Sequence, residues 1–198
     1  MPLLPLKRTV YRRLVTDICH IYEKARGDSI RILRAILVRA YWDREKKIVE
    51  IEQKNKLRAE YGAELIDDGD VIGTICNAVW LATAGEYGTA LGVMKVAHQQ
   101  GKKISVIALE TRPVLQGARL TAFELTQDKI PVQVICDGAL GYCISQGLID
   151  KFICGADRVV AKDGCYVINK VGTHTASLVA QHYQIPFYAV APISTFDF

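Results

Sequence analysis

From Val71 onward the chain alternates short runs of β-branched and aromatic residues with stretches of helical period, and that alternation most restricts what it can become. The runs are Val71–Cys76, Ile104–Leu109, Val132–Cys136, Phe152–Cys154 and Phe187–Val190. Between them the apolar residues of Thr89–Gln100, Leu120–Gln127, Leu140–Gln146 and Thr173–Tyr183 recur with a helical period, and a hairpin-like piece runs through Val167. Short apolar runs that do not alternate with polar residues are strands buried on both faces. Strands of that kind, joined through helices, form a parallel sheet with right-handed crossovers. The expected fold is α/β, a Rossmann-like parallel sheet flanked by helices and preceded by a shortened helical N-terminal part.

That N-terminal part has a different pattern. Thr9–Lys24, Ile30–Arg44 and about Glu45–Ile66 each carry apolar residues at helical spacing, the last with Ile48, Ile51, Leu57 and Tyr61 along one stripe. Asp67-Asp68-Gly69-Asp70 then breaks the chain, and the period becomes strand-like. The expected division is a helical segment over 1–66 and a Rossmann-like catalytic domain over 67–198. Charge divides similarly: up to residue 60 there are fifteen Lys/Arg against eight Asp/Glu, and ten against thirteen afterwards. Acids interleaved with the early basic residues, such as Asp43, Glu45, Glu50 and Glu52, read as a solvated helix face rather than a nucleic-acid arm.

Several function classes drop out. Charges interrupt every hydrophobic stretch before it reaches the ~18–20 residues of a membrane span, and no signal-peptide pattern opens the chain. The expected location is cytoplasmic, with no membrane and no nucleic-acid partner. The six cysteines make no C-x-x-C pair and have no histidine at zinc-ligand spacing, so neither disulfides nor a metal is expected. No strand leads into a G-x-G-x-x-G or a G-x-x-x-x-G-K-[ST], which disfavours dinucleotide and P-loop nucleotide binding.

In an open parallel sheet, ligands bind outside the carboxyl ends of the strands, so the residues just past each strand are read together. They are Cys76 with Asn77, Glu110 through Gln116, Asp137, and Asp157 with Arg158. Cys76 is either an activated thiol near a helix start or one more small core residue. Asp157 follows Gly155-Ala156, and either a structural ion pair with Arg158 or catalysis explains it. Asn169-Lys170-Val171-Gly172-Thr173 places an amide and a lysine at a helix start, a setting suited to phosphate and equally to a plain cap.

Together these segments resemble the methylthioribose-1-phosphate isomerase family, whose superfamily includes ribose-1,5-bisphosphate isomerases and the regulatory subunits of the translation-initiation guanine-nucleotide exchange factor. The resemblance rests on Thr74-Ile75-Cys76-Asn77-Ala78, Leu81-Ala82-Thr83, Tyr87 to Val93, Glu110 to Leu125, Gly155-Ala156-Asp157-Arg158, Asn169 to Thr173 and Ile185 to Asp197. It covers roughly residues 57 to 197. Val79 and Trp80 depart from the glycine and small residue usual after C-N-A, Glu86 is an extra residue, and the Lys162 to Val167 loop is longer than usual. Family enzymes also carry an N-terminal R-G-A-P-A-I segment, of which Arg26-Gly27-Asp28-Ser29-Ile30 is the nearest counterpart.

The resemblance implies an aldose-ketose isomerase of methionine salvage, converting 5-methylthioribose 1-phosphate or a related ribose 1-phosphate to the ribulose 1-phosphate. It implies Cys76 and Asp157 as the acid-base pair, with Asn77, Gln116, Asn169 and Lys170 holding the phosphorylated sugar, no cofactor, and a homodimer. A carboxyl group donating to one sugar oxygen and a thiol exchanging a proton on the other side would suit that chemistry. Two other readings stand beside it: a non-catalytic or regulatory homologue related to the exchange-factor subunits, and one part of a longer enzyme whose site another chain completes.

Overall fold

A computed structural model describes residues 55–77, 87–160 and 166–197. The helices expected before residue 55, the departures at Val79, Trp80 and Glu86, and most of the long loop before Val167 lie outside the described residues.

The described chain runs from helix α1 (55–63) through β1 (Val71–Thr74), α2 (Ala90–Gln99), β2 (Ser105–Leu109), α3 (Ala122–Gln127) and β3 (Val132–Ile135). It continues with α4 (Leu140–Ser145), β4 (Lys151–Gly155), β5 (Arg158–Val160), β6 (Tyr166–Ile168), α5 (Thr173–His182), β7 (Phe187–Val190) and β8 (Phe196–Asp197). Five strands form one parallel sheet in the order β3-β2-β1-β4-β7. This is the α/β parallel sheet expected from the sequence. A smaller sheet pairs β5 antiparallel with β6 and parallel with β8; the sequence pattern anticipates the hairpin but not β8.

Period-two alternation sorts the strand side chains into two cores. Ile72, Val106 and Ile153 face one side, where they pack with Ala59 and Ala63 of α1, Ala90, Val93, Met94 and Ala97 of α2, and Leu125 of α3. Ile75, Ile107, Leu109, Phe152 and Cys154 face the other, against Leu140, Cys143 and Ile144 of α4 and Ala176 of α5. Each fully buried Ile or Phe stabilises the fold by about 1.5–3 kcal/mol. Phe152 stacks on Phe187 at 5.2 Å between centroids. Gly73 makes room for that ring, because a Cβ there would stand 2.5 Å from Phe152 Cδ2.

Helix α1 turns a different face inward from the one its large residues suggest. Leu57 and Tyr61 are exposed, while Ala59, Ala63 and Ile66 are buried. Small residues allow the close approach: a Cβ on Gly62 would lie 2.4 Å from Val93 Cγ2. Backbone proximity therefore outweighs side-chain size in choosing the face.

At the amino ends of the strands the polar groups are structural. Lys151, nearly buried, reaches Asp67 Oδ2 at 2.5 Å and Asp70 Oδ2 at 2.7 Å. Lys102 donates to the carbonyls of Ala63 and Ile66 at 2.8 and 2.6 Å, which ties the end of α1 and the chain just after it to the segment leading into β2. Asp150 accepts the Val71 N–H at 2.8 Å and Asp68 the Lys103 N–H at 2.6 Å. No helix among the described residues is long and apolar enough to cross a membrane.

Candidate functional site

The order β3-β2-β1-β4-β7 reverses direction once. The chain steps outward from β1 through β2 to β3, then returns to the other side of β1 to lay down β4. The carboxyl ends of β1 and β4 thus flank the crevice where open α/β sheets bind ligands. Cys76 lies two residues beyond β1 and Asp157 two beyond β4.

Cys76 is not part of the strand expected to contain it. The strand ends at Thr74, and Cys76 adopts φ 72, a left-handed conformation that non-glycine residues rarely take. Two threonines fix it there. The Cys76 N–H donates to Thr111 Oγ1 at 2.9 Å, and Thr121 Oγ1 donates to the Cys76 carbonyl at 2.6 Å. The thiol is half-buried. Burial pushes its pKa up, the Asn77 backbone N–H and the Lys170 charge pull it down, and the Asp157 charge raises it again; the net direction is upward. Cys76 therefore feels both Lys170 and Asp157. Beneath it in the same core, Cys154 is fully buried and its thiol is pushed up to about 12 by desolvation, with Cys76 adding to the rise.

The loop after β2 is built as a rigid wall. Thr111 is fully buried at φ 65, and Leu115 also has φ 65. Asp137 grips the loop with both oxygens, accepting the Thr111 N–H at 2.8 Å and the Arg112 N–H at 2.7 Å. One turn of π-helix, Gly117–Thr121, leads into α3; such turns often accompany functional sites. Gly117 is required there, since a Cβ would stand 1.7 Å from the Leu109 carbonyl oxygen. With its amide oriented to satisfy both ends, Gln116 donates to the Thr111 carbonyl at 3.2 Å and accepts from Lys170 Nζ at 3.2 Å. The loop's arginines contribute less: Arg112 and Arg119 are exposed, and Arg119 donates to the Val114 carbonyl at 3.4 Å.

Lys170 arrives from the other side of the crevice. Gly172, at φ 100, turns the chain into α5 and rests against Ile75, whose Cδ1 is 3.0 Å from where a Cβ would be. Asn169 Nδ2 donates to Thr173 Oγ1 at 3.1 Å, and the Thr173 N–H donates to the Lys170 carbonyl at 3.0 Å. This fixes Asn169 and Lys170 at the amino end of α5, where helix N–H groups favour an anion.

Asp157 is exposed and its N–H donates to the Ile168 carbonyl at 2.9 Å, which ties it to the β5–β6 hairpin. Its neighbour Arg158 pairs with Asp197 at 3.4 Å. Of the two explanations the sequence leaves open for Asp157, the ion pair with Arg158 is thus not what forms. Asn77 is half-buried, and its Oδ1 has no hydrogen-bond partner among the described residues.

Cys76, Gln116 and Lys170 are joined by contact or charge, Asp157 acts on Cys76, and Asn77 and Asn169 are their chain neighbours. The sequence pattern does not single out Thr111, Thr121 or the gripping role of Asp137. Asp137 stands on the rim, but only the topology brings β3 beside β2 and so places its carboxylate under the loop. No cluster of His, Cys, Asp and Glu among the described residues could hold a metal ion.

Residues 33–198 match the model of the initiation factor 2 subunit family. A methylthioribose-1-phosphate isomerase from Nitratidesulfovibrio vulgaris is 53% identical over 159 residues, which cover 79% of this chain and 45% of that protein. Among solved structures, the translation initiation factor eIF-2B subunit delta from A. fulgidus superposes with a TM-score of 0.74 at 52% identity, covering 78% of this chain and 44% of the other. The 5-methylthioribose 1-phosphate isomerase from Pyrococcus horikoshii OT3 superposes with a TM-score of 0.68 at 41% identity, covering 77% and 42%. The chain spans about half the length of the curated relatives it matches.

Proposed function

Because the chain belongs to the initiation factor 2 subunit family, we propose that it carries the isomerase chemistry for which its relatives are named: conversion of 5-methylthioribose 1-phosphate to the 1-phosphate of the corresponding ribulose. The observation that carries this reading is the pairing across the sheet's switch point, a thiol after β1 and a carboxyl group after β4, with Lys170 acting on the same thiol. A purely regulatory homologue would have no use for that arrangement.

Protonation assigns the roles. Burial pushes the Cys76 pKa up, which casts the thiol as the donor and the carboxyl group as the acceptor, the reverse of the assignment suggested by residue type alone. It protonates the ring oxygen as the C1–O bond breaks, a step the phosphate on the anomeric oxygen otherwise obstructs. Asp157 takes the proton of the C2 hydroxyl while the C2 hydrogen moves to C1 and the C2 carbonyl forms. One proton enters the sugar and one leaves, and exchange with solvent restores the pair after product departs. Lys170 and Gln116 hold the phosphate, with the amino end of α5 favouring its charge and Asn77 and Asn169 offering amides to the sugar. Homodimer formation and a cytoplasmic location belong to the same proposal.

The test is a ketose assay, by proton NMR, of the full chain with 5-methylthioribose 1-phosphate. Turnover should be lost in Cys76→Ser and in Asp157→Asn. Activity persisting in both variants would sink the reading.

A further inference from the structure

We infer that Thr111, held by Asp137, is the positioning residue that sets the Cys76 thiol in the crevice, and that Thr121 completes the clamp from the other side. The inference rests on Cys76 being the reactive thiol of the isomerase reading and extends it to Thr111, Thr121 and Asp137, to which the sequence pattern assigns no such role.

Cys76 and Thr111 both occupy the left-handed region, at φ 72 and φ 65, and neither is a glycine. Conformations of that kind persist only when their surroundings over-determine them, and the surroundings here form one linked chain of bonds. The Asp137 carboxylate holds the Thr111 and Arg112 amides at 2.8 and 2.7 Å. The Thr111 hydroxyl uses both of its capacities, donating to the Leu109 carbonyl at 3.1 Å and accepting the Cys76 N–H at 2.9 Å. Thr121 takes the Cys76 carbonyl at 2.6 Å. Both polar groups of the Cys76 backbone are thus fixed by side chains from the loop after β2 and the π-turn beyond it, and none of the sheet's own ladder bonds does this work. Valine in place of Thr111 keeps the shape and removes the acceptor. The Cys76 N–H would then be buried without a partner, and the cheapest relief is for Cys76 to leave φ 72 and turn its thiol toward solvent.

Among the described residues, the groups that act on the thiol are Asp157, Lys170, the Asn77 N–H and Cys154. Its alkylation therefore reports its place among them without requiring turnover. The experiment is iodoacetamide labelling of the full chain over a pH series, read at the Cys76 peptide by mass spectrometry. Folding is checked by thermal unfolding. Thr111→Val should move the Cys76 labelling midpoint down toward that of an exposed thiol and speed labelling near neutral pH by about threefold or more. Thr111→Ser, which restores the acceptor, should follow the wild-type profile.

On the isomerase reading Thr111→Val should also lower kcat by about tenfold or more with KM little changed. If Thr111→Val does not fold, Asp137→Asn decides by the same labelling, since its amide nitrogen faces an N–H donor and must release one side of the loop. A folded Thr111→Val or Asp137→Asn variant whose Cys76 profile matches wild type overturns the inference. Absence of turnover in wild type, with the labelling shift intact, removes the isomerase reading and leaves the positioning role standing.

Discussion

Lys170 Nζ meets the Gln116 side chain at 3.2 Å, which joins the loop after β2 to the entry of α5 across the mouth of the crevice. The Gln116 amide also donates to the Thr111 carbonyl, so the cation is indexed to the same wall that holds Cys76. An ammonium placed by a neutral amide, with no carboxylate paired to it among the described residues, keeps its charge available to an anion.

Replacing Lys170 by methionine should weaken binding of the sugar phosphate by about 10–100-fold, the worth of a charge-assisted bond to phosphate. Isothermal titration with inorganic phosphate and with the sugar phosphate checks this. The loss should appear with both ligands and shrink as salt is raised. Gln116→Ala should act in the same direction more weakly, since it frees the lysine without removing it.

A cluster at the opposite rim makes a separate claim about pH. Lys151 draws Asp67 below the usual carboxylate range, chiefly through its hydrogen bond. Desolvation works against the Lys151 charge, but its bonds to Asp67 and Asp70 outweigh it and leave its pKa raised. A depressed carboxylate stabilises the fold above its unfolded value and ceases to as pH falls through its folded one. A raised ammonium stabilises below its unfolded value and ceases to as pH climbs through its folded one. The pair thus contributes most between those limits. Urea midpoints measured across pH should fall on both the acid and the far alkaline side, and Lys151→Met should lower the mid-pH plateau while flattening both limbs. Equal pH slopes in variant and wild type would count against the pairing.

The legible parts of this chain are those that depend on local pattern. The five strands follow from Val/Ile-rich runs, and the parallel sheet follows from their spacing by helices. Cys76 and Gln116 stand past the ends of β1 and β2, where the rim argument looks, and Lys170, read from the sequence only as a lysine at a helix start, meets Gln116 there. What escaped depended on backbone approach and on strand order. Leu57 and Tyr61 look like a core stripe, yet Gly62 lets α1 pack through its alanines. The Cys76 segment reads as strand because its residues are apolar, and only the Thr111 and Thr121 hydroxyls, 35 and 45 positions away, turn it out of the sheet. Arg158 sits beside Asp157 in sequence but bonds Asp197, because β5 runs next to β8.

Gly117 tests whether the wall must be tight. A methyl group there would collide with the Leu109 carbonyl oxygen at 1.7 Å, and because that obstacle is backbone it has little room to yield. Gly117→Ala should cost about 1–3 kcal/mol. For a chain of this size that lowers the melting temperature by roughly 2–4 °C per kcal/mol. Calorimetry gives the shift. A melting temperature equal to wild type would mean that the π-turn moves freely, and the placement of Gln116 would then need another explanation.

The two charges beside Cys76 act on it with opposite sign, which makes its titration a test of the site's geometry. Lys170 lowers the thiol pKa and Asp157 raises it, against a net upward push that comes first from burial. Removing the cation in Lys170→Met should move the Cys76 labelling midpoint further up. Removing the anion in Asp157→Asn should move it down. If the protonated thiol is the donor, the rate of ketose formation should hold through neutral pH and fall as pH rises through that same midpoint, and the alkaline limb should shift upward with Lys170→Met. Labelling and rate limbs that move together tie the proton to Cys76. A rate limb that stays fixed while the labelling midpoint moves would assign the titrating donor to another group.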